Sequence, residues 1–196
     1  SDNKHKGIFD LEGRFKKYLQ QSLSISCEIS NKYQTLIVCG MGGSSLGAKA
    51  ICGTKFFDNK NIQKIYEAQN TQNSQKNDGK SGGKSVGKNN GGDKNDKIIH
   101  FLDNIHHQEL NNFLMNLDFK QTAFLFVSKS GKTIETICQT LVITDFYQEQ
   151  LAQNNASNLY FITEDNSPDA NPLAKISINY QRPIIEHDKD VGGRYS

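Results

Sequence analysis

The chain has 196 residues, of which 35% are apolar, and its 23 basic and 21 acidic side chains nearly balance. This length suffices for one α/β domain with a sizeable core. No 18-residue apolar run and no signal-peptide pattern occurs in the sequence, so a membrane-spanning or exported protein is not indicated and a cytoplasmic location is expected.

Apolar runs and turn residues predict alternating helices and strands along the chain. In chain order these are helix 8–23, strand 35–39, helix 44–52, strand 64–68, strand 97–102, helix 106–117, strand 122–127, helix 133–150 and strand 158–163. This alternation predicts an α/β fold in which helices cover both faces of a doubly wound parallel sheet, a three-layer arrangement of flavodoxin type.

One segment departs from this alternation. Between Thr71 and Asp96 the only apolar side chain is Val86, so the segment cannot offset the entropy of ordering and is expected to be a disordered surface insert. It holds five lysines and three aspartates, and without it the chain has 18 basic and 18 acidic residues. The weak net basicity therefore gives no indication of a nucleic-acid partner.

The strand over 122–127 leads into Ser128-Lys-Ser-Gly-Lys-Thr-Ile-Glu-Thr136, whose first six residues we call the hydroxyl loop. Five apolar residues follow at the spacing of one helix face, which places the loop on a strand-to-helix turn. They are Ile134, Ile137, Cys138, Leu141 and Val142. The first N–H groups of a helix lack intrahelical partners and carry partial positive charge, so this turn favours a bound phosphate.

The residue types of the hydroxyl loop suit a phosphate ligand as well. Three hydroxyls can donate, one glycine allows close backbone approach and two lysines can supply charge: Ser128, Ser130 and Thr133, then Gly131, then Lys129 and Lys132. The alternative is a hydroxyl-rich helix cap without a ligand, because serine and threonine are preferred at caps. A cap needs only one hydroxyl, so a phosphorylated small molecule is the leading ligand.

A second turn of the same kind occurs earlier. The strand over 35–39 leads into Gly40-Met-Gly-Gly-Ser-Ser-Leu-Gly47, whose first six residues we call the glycine turn. It resembles a dinucleotide-binding fingerprint, but Ser45 replaces the third glycine and the next strand offers only Glu67 as an acidic residue. Ligands of parallel sheets bind at the carboxyl ends of the strands, so the two turns are expected to share one pocket.

The remaining reactive side chains predict no metal site and no cofactor. The four cysteines have no paired metal spacing and are interpreted as buried thiols of a reducing compartment. They are Cys27, Cys39, Cys52 and Cys138. His187 lies among the acidic residues Glu186, Asp188 and Asp190, and this charged loop is interpreted as a solvated surface.

Three motifs together resemble the phosphoglucose isomerase family: residues 40–47, residues 128–136 and the closing Asp190-Val-Gly-Gly-Arg-Tyr-Ser196, in this order. The middle motif alone is typical of the wider group of sugar-isomerase (SIS) domains, and the closing motif narrows the resemblance. The resemblance implies an SIS phosphosugar-binding domain over residues 35–196, interrupted by the insert at 70–96 and preceded by a helical segment over 1–34.

The resemblance also implies roles for individual residues. The substrate phosphate would be held by the hydroxyl loop, through Ser128, Lys129, Ser130 and Thr133, while Gly43 and Ser44 of the glycine turn would contact the substrate. Arg194 would lie near C1 and C2 of the sugar and stabilise a cis-enediolate, a role that suits a permanently charged guanidinium. Glu135 resembles a family carboxylate, although an acidic residue in the first turn of a helix also simply complements the helix dipole.

The reaction implied is the interconversion of glucose 6-phosphate and fructose 6-phosphate in glycolysis and gluconeogenesis, which needs a general base to move a proton between C2 and C1. In the family the base glutamate, the ring-opening histidine and a late lysine follow the closing motif, where this sequence stops. We therefore expect an amino-terminal fragment with negligible catalysis of its own, belonging to a homodimeric isomerase without nucleic-acid or membrane partners.

Two alternatives stay open at this point. A noncatalytic phosphosugar sensor would share the hydroxyl loop but has no need of an enediolate-stabilising arginine, so Arg194 discriminates between sensor and enzyme. The other alternative is an isomerase acting on another phosphosugar, such as mannose 6-phosphate or a heptose phosphate, because the discrimination between sugars would rest on residues beyond this sequence.

Overall fold

The computed structural model describes residues 11–53, 97–104, 106–151, 156–164, 169–189 and 191. The helices are α1 (Leu11–Lys32), α2 (Gly43–Gly53), α3 (His107–Met115), α4 (Ile134–Leu151) and α5 (Pro172–Asn179), and a 3₁₀ turn covers Phe119–Gln121. The strands are β1 (Thr35–Gly40), β2 (Ile98–Leu102), β3 (Thr122–Val127), β4 (Leu159–Thr163) and β5 (Ile184–Glu186).

The predicted strands over 35–39, 97–102, 122–127 and 158–163 all form. The predicted strand over 64–68 and the insert over 70–96 lie outside the described residues. The sequence analysis missed the 3₁₀ turn, α5 and β5, which are short. The start of α5 is nevertheless marked locally, because the Asn171 side chain accepts a hydrogen bond from the Ala174 N–H at 3.0 Å and Pro172 takes the first helical position.

Helix α1 extends further than the sequence indicates, since the prediction ended it at residue 23 and it runs to Lys32. The added turns contain serine and isoleucine, which are only moderate helix formers, so tertiary contacts stabilise them. Ile25 and Ile29 pack against the sheet, and the Tyr160 hydroxyl donates to Glu28 Oε1 at 3.0 Å.

The five strands form one parallel sheet in the order β2-β1-β3-β4-β5. This is the flavodoxin-type order of a doubly wound sheet, and it confirms the fold class predicted from the alternation. The central strands are buried because helices cover both faces: Phe124, Phe126 and Phe161 are fully inaccessible to solvent.

Helices α3, α4 and α5 lie on one face of the sheet, above the main core. That core is made of buried apolar residues from three strands and from the helices above them: Ile37, Cys39, Leu110, Leu114, Phe119, Phe124, Phe126, Ile143, Tyr147, Ala156, Leu159, Phe161 and Leu173. At the β2 edge the same face is continued by His100, whose ring meets Phe113 edge-on with centroids 5.3 Å apart.

Helices α1 and α2 lie on the opposite face. Tyr33, Ala123 and Tyr160 form a smaller core there beneath α1. A contact of Lys49 places α2 on this face as well, because its ammonium lies 5.9 Å from the centroid of the Phe101 ring, which is on this side of the sheet. Adjacent strands β1 and β3 therefore send their following helices to opposite faces, which opens a crevice at their carboxyl ends.

Helix α4 forms where predicted but turns most of its predicted apolar face to solvent. Ile134 is 72% exposed and Leu141 52% exposed, whereas Ile143 is fully buried. The positions that face the sheet are largely polar: Thr136, Gln139, Thr140 and Thr144. Two of their hydroxyls donate to carbonyl oxygens of the preceding turn, Thr140 to Thr136 O at 2.7 Å and Thr144 to Leu141 O at 3.1 Å. Because helix carbonyls accept hydrogen bonds from these two hydroxyls, the two threonines can be buried on the packed face of α4. The pattern of apolar residues therefore predicted the wrong face of the helix.

Candidate functional site

The hydroxyl loop leaves the end of β3 in a tight turn. The Ser128 N–H still belongs to the sheet and donates to Ile162 O at 3.0 Å, while the Gly131 N–H turns back to Ser128 O at 3.1 Å. Gly131 has φ +64°, a left-handed conformation that glycine adopts without a steric penalty. Helix α4 then starts at Ile134, so the loop residues surround its amino terminus.

The three hydroxyls of this loop are not equivalent. Ser128 is buried, and its Oγ lies 2.9 Å from Thr133 Oγ1 in a hydroxyl pair that holds the two ends of the loop together. Ser130 is exposed, and its Oγ accepts a hydrogen bond from the Lys132 N–H at 3.2 Å. Ser130 and Lys132 thus present their side chains to solvent, while Ser128 and Thr133 set the shape of the turn.

Asn171 supports the loop from below and was missed by the sequence analysis. Its fully buried side chain donates to Thr163 Oγ1 and to Glu164 O, both at 3.0 Å. The Leu173 N–H, two residues on, donates to Gly131 O at 3.2 Å. A Cβ on Gly131 would lie 2.8 Å from Asn171 Nδ2 and closer still to its Oδ1, so only glycine fits against this support. Asparagine directly before proline was the available signal, but it indicates a helix start and not a contact with the loop.

The glycine turn leaves the end of β1 in a similar way. Gly42 has φ +55°, and helix α2 starts at Gly43 with the Ser45 N–H donating to Gly42 O at 3.0 Å. Gly40 is closely surrounded, because a Cβ there would lie 3.1 Å from Ser44 O and 3.2 Å from Val127 O. Gly43 and Ser44, the predicted substrate contacts of this turn, are partly exposed at the start of α2.

The two turns begin side by side. In the β1–β3 ladder Gly40 is paired with Val127, the residue directly before the hydroxyl loop. Two helix amino termini, those of α2 and α4, therefore start from one edge of the sheet at its topological switch point. The dipoles of these two helices place partial positive charge at this edge, which is the charge that favours an anion.

The side chain of Lys129 contacts residues that follow β4 and β5. The ammonium donates to Lys189 O at 2.8 Å and to Val191 O, and it pairs with Glu164 Oε1 at 3.3 Å. Its backbone is also held, because Lys129 O accepts from the Glu164 N–H at 2.9 Å. The loop is thereby tied to the stretch that leads into the closing motif.

Glu135 lies partly exposed in the first turn of α4, where a carboxylate complements the helix dipole. Arg194, the residue predicted to stabilise an enediolate, lies outside the described residues. The charged loop around His187 is not simply a solvated surface as interpreted from the sequence. Asp188 is buried and accepts a hydrogen bond from the Tyr18 hydroxyl at 3.2 Å, while His187 Nδ1 lies 2.9 Å from Asp188 O.

The cysteines were predicted to be buried, and this is wrong for two of them. Cys39 is buried in β1 and Cys52 is partly buried, and burial raises the pKa of both thiols. Cys27 and Cys138 are exposed on helices, because the packed faces of those helices lie elsewhere.

In the part of the chain that the structure describes, no helix is both long and apolar enough to span a bilayer.

The comparisons with known proteins agree on one family. The sequence model described as phosphoglucose isomerase matches residues 82–196. A glucose-6-phosphate isomerase from Leptospira biflexa is 28% identical over 198 residues, which cover 99% of this chain and 37% of that protein. A glucose-6-phosphate isomerase from Carboxydothermus hydrogenoformans is 25% identical, covering 97% of this chain and 35% of that protein. The chain thus spans little more than a third of the length of these relatives.

Two solved structures share the fold. The alignment with a hypothetical protein from Thermus thermophilus has a TM-score of 0.68 at 20% identity and covers 100% of this chain and 37% of that protein. The alignment with a glucose-6-phosphate isomerase from Chlamydia trachomatis has a TM-score of 0.60 at 22% identity and covers 92% of this chain and 27% of that protein.

Proposed function

Because the chain belongs to the phosphoglucose isomerase family, we propose that it is the phosphosugar-binding part of an enzyme that interconverts glucose 6-phosphate and fructose 6-phosphate. The phosphosugar-binding domain would span residues 35–196 after a helical segment over 1–34. Catalysis by the whole enzyme, its cytoplasmic location and its assembly as a homodimer belong to this proposal.

One observation carries the proposal: two helix-starting turns leave paired residues of adjacent strands, Gly40 and Val127, at the switch point of the sheet. A phosphate dianion in this crevice would meet the amino termini of α2 and α4 together. In the hydroxyl loop the ligand would receive hydrogen bonds from the Ser130 and Thr133 hydroxyls and from backbone N–H groups, with charge from Lys132.

The ammonium of Lys129 is engaged elsewhere, so its part in phosphate binding would come from the backbone N–H. Ser128 would act by holding Thr133 in place, since the two hydroxyls are 2.9 Å apart. From the glycine turn, Gly43 and Ser44 would reach the sugar.

Arg194 would supply the chemistry at the other end of the sugar. A guanidinium can give two parallel hydrogen bonds to the adjacent oxygens of a cis-enediolate, and it would stabilise the charge that develops as the proton leaves C2. None of the residues of the two turns, nor Arg194, is proposed as the general base that moves the proton between C2 and C1. We therefore expect the 196-residue chain to bind phosphosugars and not to turn them over.

The test is calorimetric binding of 6-phosphogluconate, which carries both a phosphate and a C1 carboxylate. Replacing two of the three loop hydroxyls, Ser130→Ala with Thr133→Ala, removes two hydrogen bonds to an anion worth about 3 kcal/mol together, or roughly 100-fold in Kd. The matched control is Ser26→Ala on the exposed side of α1, which should bind as the wild type does. Equal binding by the double variant and the wild type would refute phosphate binding at this loop.

A further inference from the structure

We propose that Lys129 is a positioning residue: it holds Lys189 and Val191 of the closing segment beside the hydroxyl loop, and ligand binding through Arg194 depends on that anchor, a role that rests on the proposed function. The closing segment is residues 187–196, of which the structure describes residues 187–189 and 191. A lysine within a phosphate loop would ordinarily be taken for a direct phosphate ligand, and the contacts of this one point elsewhere.

The first step is a count of donors. An ammonium group has three N–H bonds. At Lys129 three acceptors surround Nζ: Lys189 O at 2.8 Å, Val191 O, and Glu164 Oε1 at 3.3 Å. Two hydrogen bonds and one ion pair therefore engage the ammonium with the protein itself.

The second step is rigidity. The side chains of Lys129 and Glu164 are only 21% and 18% exposed, so their ion pair is partly shielded from water. The Lys129 carbonyl is also fixed, because it accepts from the Glu164 N–H at 2.9 Å and from Thr163 Oγ1 at 3.1 Å. Lys129 is therefore held at both its backbone and its side chain by the end of β4.

The third step is the closing segment itself. It leaves β5 beside β4, with the His187 N–H donating to Thr163 O at 2.9 Å, and Asp188 is anchored by the Tyr18 hydroxyl at 3.2 Å. Beyond these two residues the described contacts of the segment with the hydroxyl loop are the two hydrogen bonds from Lys129 to the carbonyls of Lys189 and Val191. Lys129 is thus the bridge between the phosphate end of the crevice and the segment that carries Arg194.

The distance along the chain is short. Arg194 follows Val191 by three residues, which span at most about 11 Å when fully extended. The position of Val191 therefore limits how far along the crevice Arg194 can reach. If Lys129 is removed, Val191 loses this anchor, and we expect affinity for the sugar end of the ligand to fall while affinity for the phosphate end stays.

Two ligands separate these ends. Inorganic phosphate, followed by NMR titration, reports the hydroxyl loop alone, whereas 6-phosphogluconate, followed by calorimetry, adds a carboxylate that suits Arg194. Lys129→Met keeps the length of the side chain and removes its charge. We expect both Lys129→Met and Arg194→Ala to weaken 6-phosphogluconate binding by about tenfold. The double variant should show no further loss, and Lys129→Met should keep its phosphate affinity within about twofold of wild type.

Lys132→Met is the matched control, because Lys132 belongs to the same loop but is exposed. If Lys132 supplies charge to the phosphate, Lys132→Met weakens the binding of both ligands by the same factor. The same pattern in Lys129→Met would overturn the proposal, since Lys129 would then act on the phosphate directly. Additive losses in Lys129→Met with Arg194→Ala would overturn it too, because they would mean that Lys129 does not act through the arginine.

A readout without a ligand keeps this test separate from the proposed function. Amide hydrogen exchange of the peptide covering residues 187–196 should accelerate in Lys129→Met and stay at the wild-type rate in Lys132→Met. Should the wild-type protein bind neither ligand, the proposed function fails, and the exchange rates still decide whether Lys129 holds the segment. Unchanged exchange in Lys129→Met would refute that role.

Discussion

Replacing Gly131 by alanine should strongly destabilise the protein, because two independent requirements for glycine coincide there. Its φ of +64° is left-handed, and a Cβ would run into the Asn171 side chain. Asn171 has no room to yield cheaply, since it is fully buried and its amide makes three hydrogen bonds. The substitution therefore strains the loop and disrupts the support beneath it.

The magnitude follows from these two terms. A left-handed alanine costs about 1 kcal/mol. Displacing Asn171 breaks its bonds to Thr163 Oγ1, Glu164 O and Ala174 N, each worth about 1 kcal/mol. The sum is roughly 4 kcal/mol, a large part of the 5 to 15 kcal/mol by which a typical domain is stable.

Two glycines of the other turn region provide matched controls. Gly42 also has a left-handed φ, of +55°, but a Cβ there meets nothing within 4 Å, so Gly42→Ala measures the backbone cost alone. Gly47 lies inside α2 with nothing within 4 Å and no left-handed φ, so Gly47→Ala should raise stability by about 0.5 to 1 kcal/mol.

Urea denaturation followed by circular dichroism gives the free energies of unfolding of these variants. The reasoning is refuted if Gly131→Ala costs no more than Gly42→Ala, because the Asn171 contact would then contribute nothing. A double variant sharpens the test: once Asn171→Ala has opened the space, adding Gly131→Ala should cost only the backbone term of about 1 kcal/mol.

Two further predictions concern residues on the main core face, one in α4 and one in β2. In α4, Ile143→Asp should lower the free energy of unfolding by at least about 4 kcal/mol, because it buries an unpaired carboxylate. The control Leu141→Asp should change it by less than about 1 kcal/mol, because Leu141 is exposed. Urea denaturation measures both values, and equal losses would contradict the described orientation of α4. Burial lowers the pKa of His100 below its ordinary value of 6.5. The unfolded chain then binds a proton more readily than the folded one, so stability should fall as pH drops from about 7 through the unfolded pKa near 6.5 and level off below the lowered folded pKa. Urea denaturation at several pH values should show this loss reduced in His100→Gln and retained in His106→Gln, an exposed control; a pH dependence that is the same in all three proteins would refute the assignment to His100.

The elements that the sequence predicted well are those whose signal is local. Strand β3 lies where its run of apolar residues predicted it, and the hydroxyl loop follows it because serine, threonine and glycine favour a strand-to-helix turn wherever they occur. The same holds for the glycine turn after β1. That the two turns lie together could also be predicted, since the carboxyl ends of parallel strands meet at one edge of a sheet.

Other features depend on residues far apart along the chain, and no local pattern encodes them. The exposed stripe of α4 could not be foreseen, because threonine hydroxyls that donate to helix carbonyls are compatible with burial. The last turns of α1 follow from a hydrogen bond between Glu28 and Tyr160, which are 132 positions apart.

The sequence by itself therefore determined on which turns the hydroxyl and glycine residues lie and to which family the motifs point, and the proposed phosphate site rests on both. Only the tertiary structure decided what each of these residues touches. The sequence suggests Lys129 as a phosphate ligand, yet its ammonium bonds to a carbonyl 60 positions away, because folding brings β5 and the closing segment against the end of β4. Local patterns encode backbone conformation, whereas the partner of a side chain depends on which distant segments pack against it.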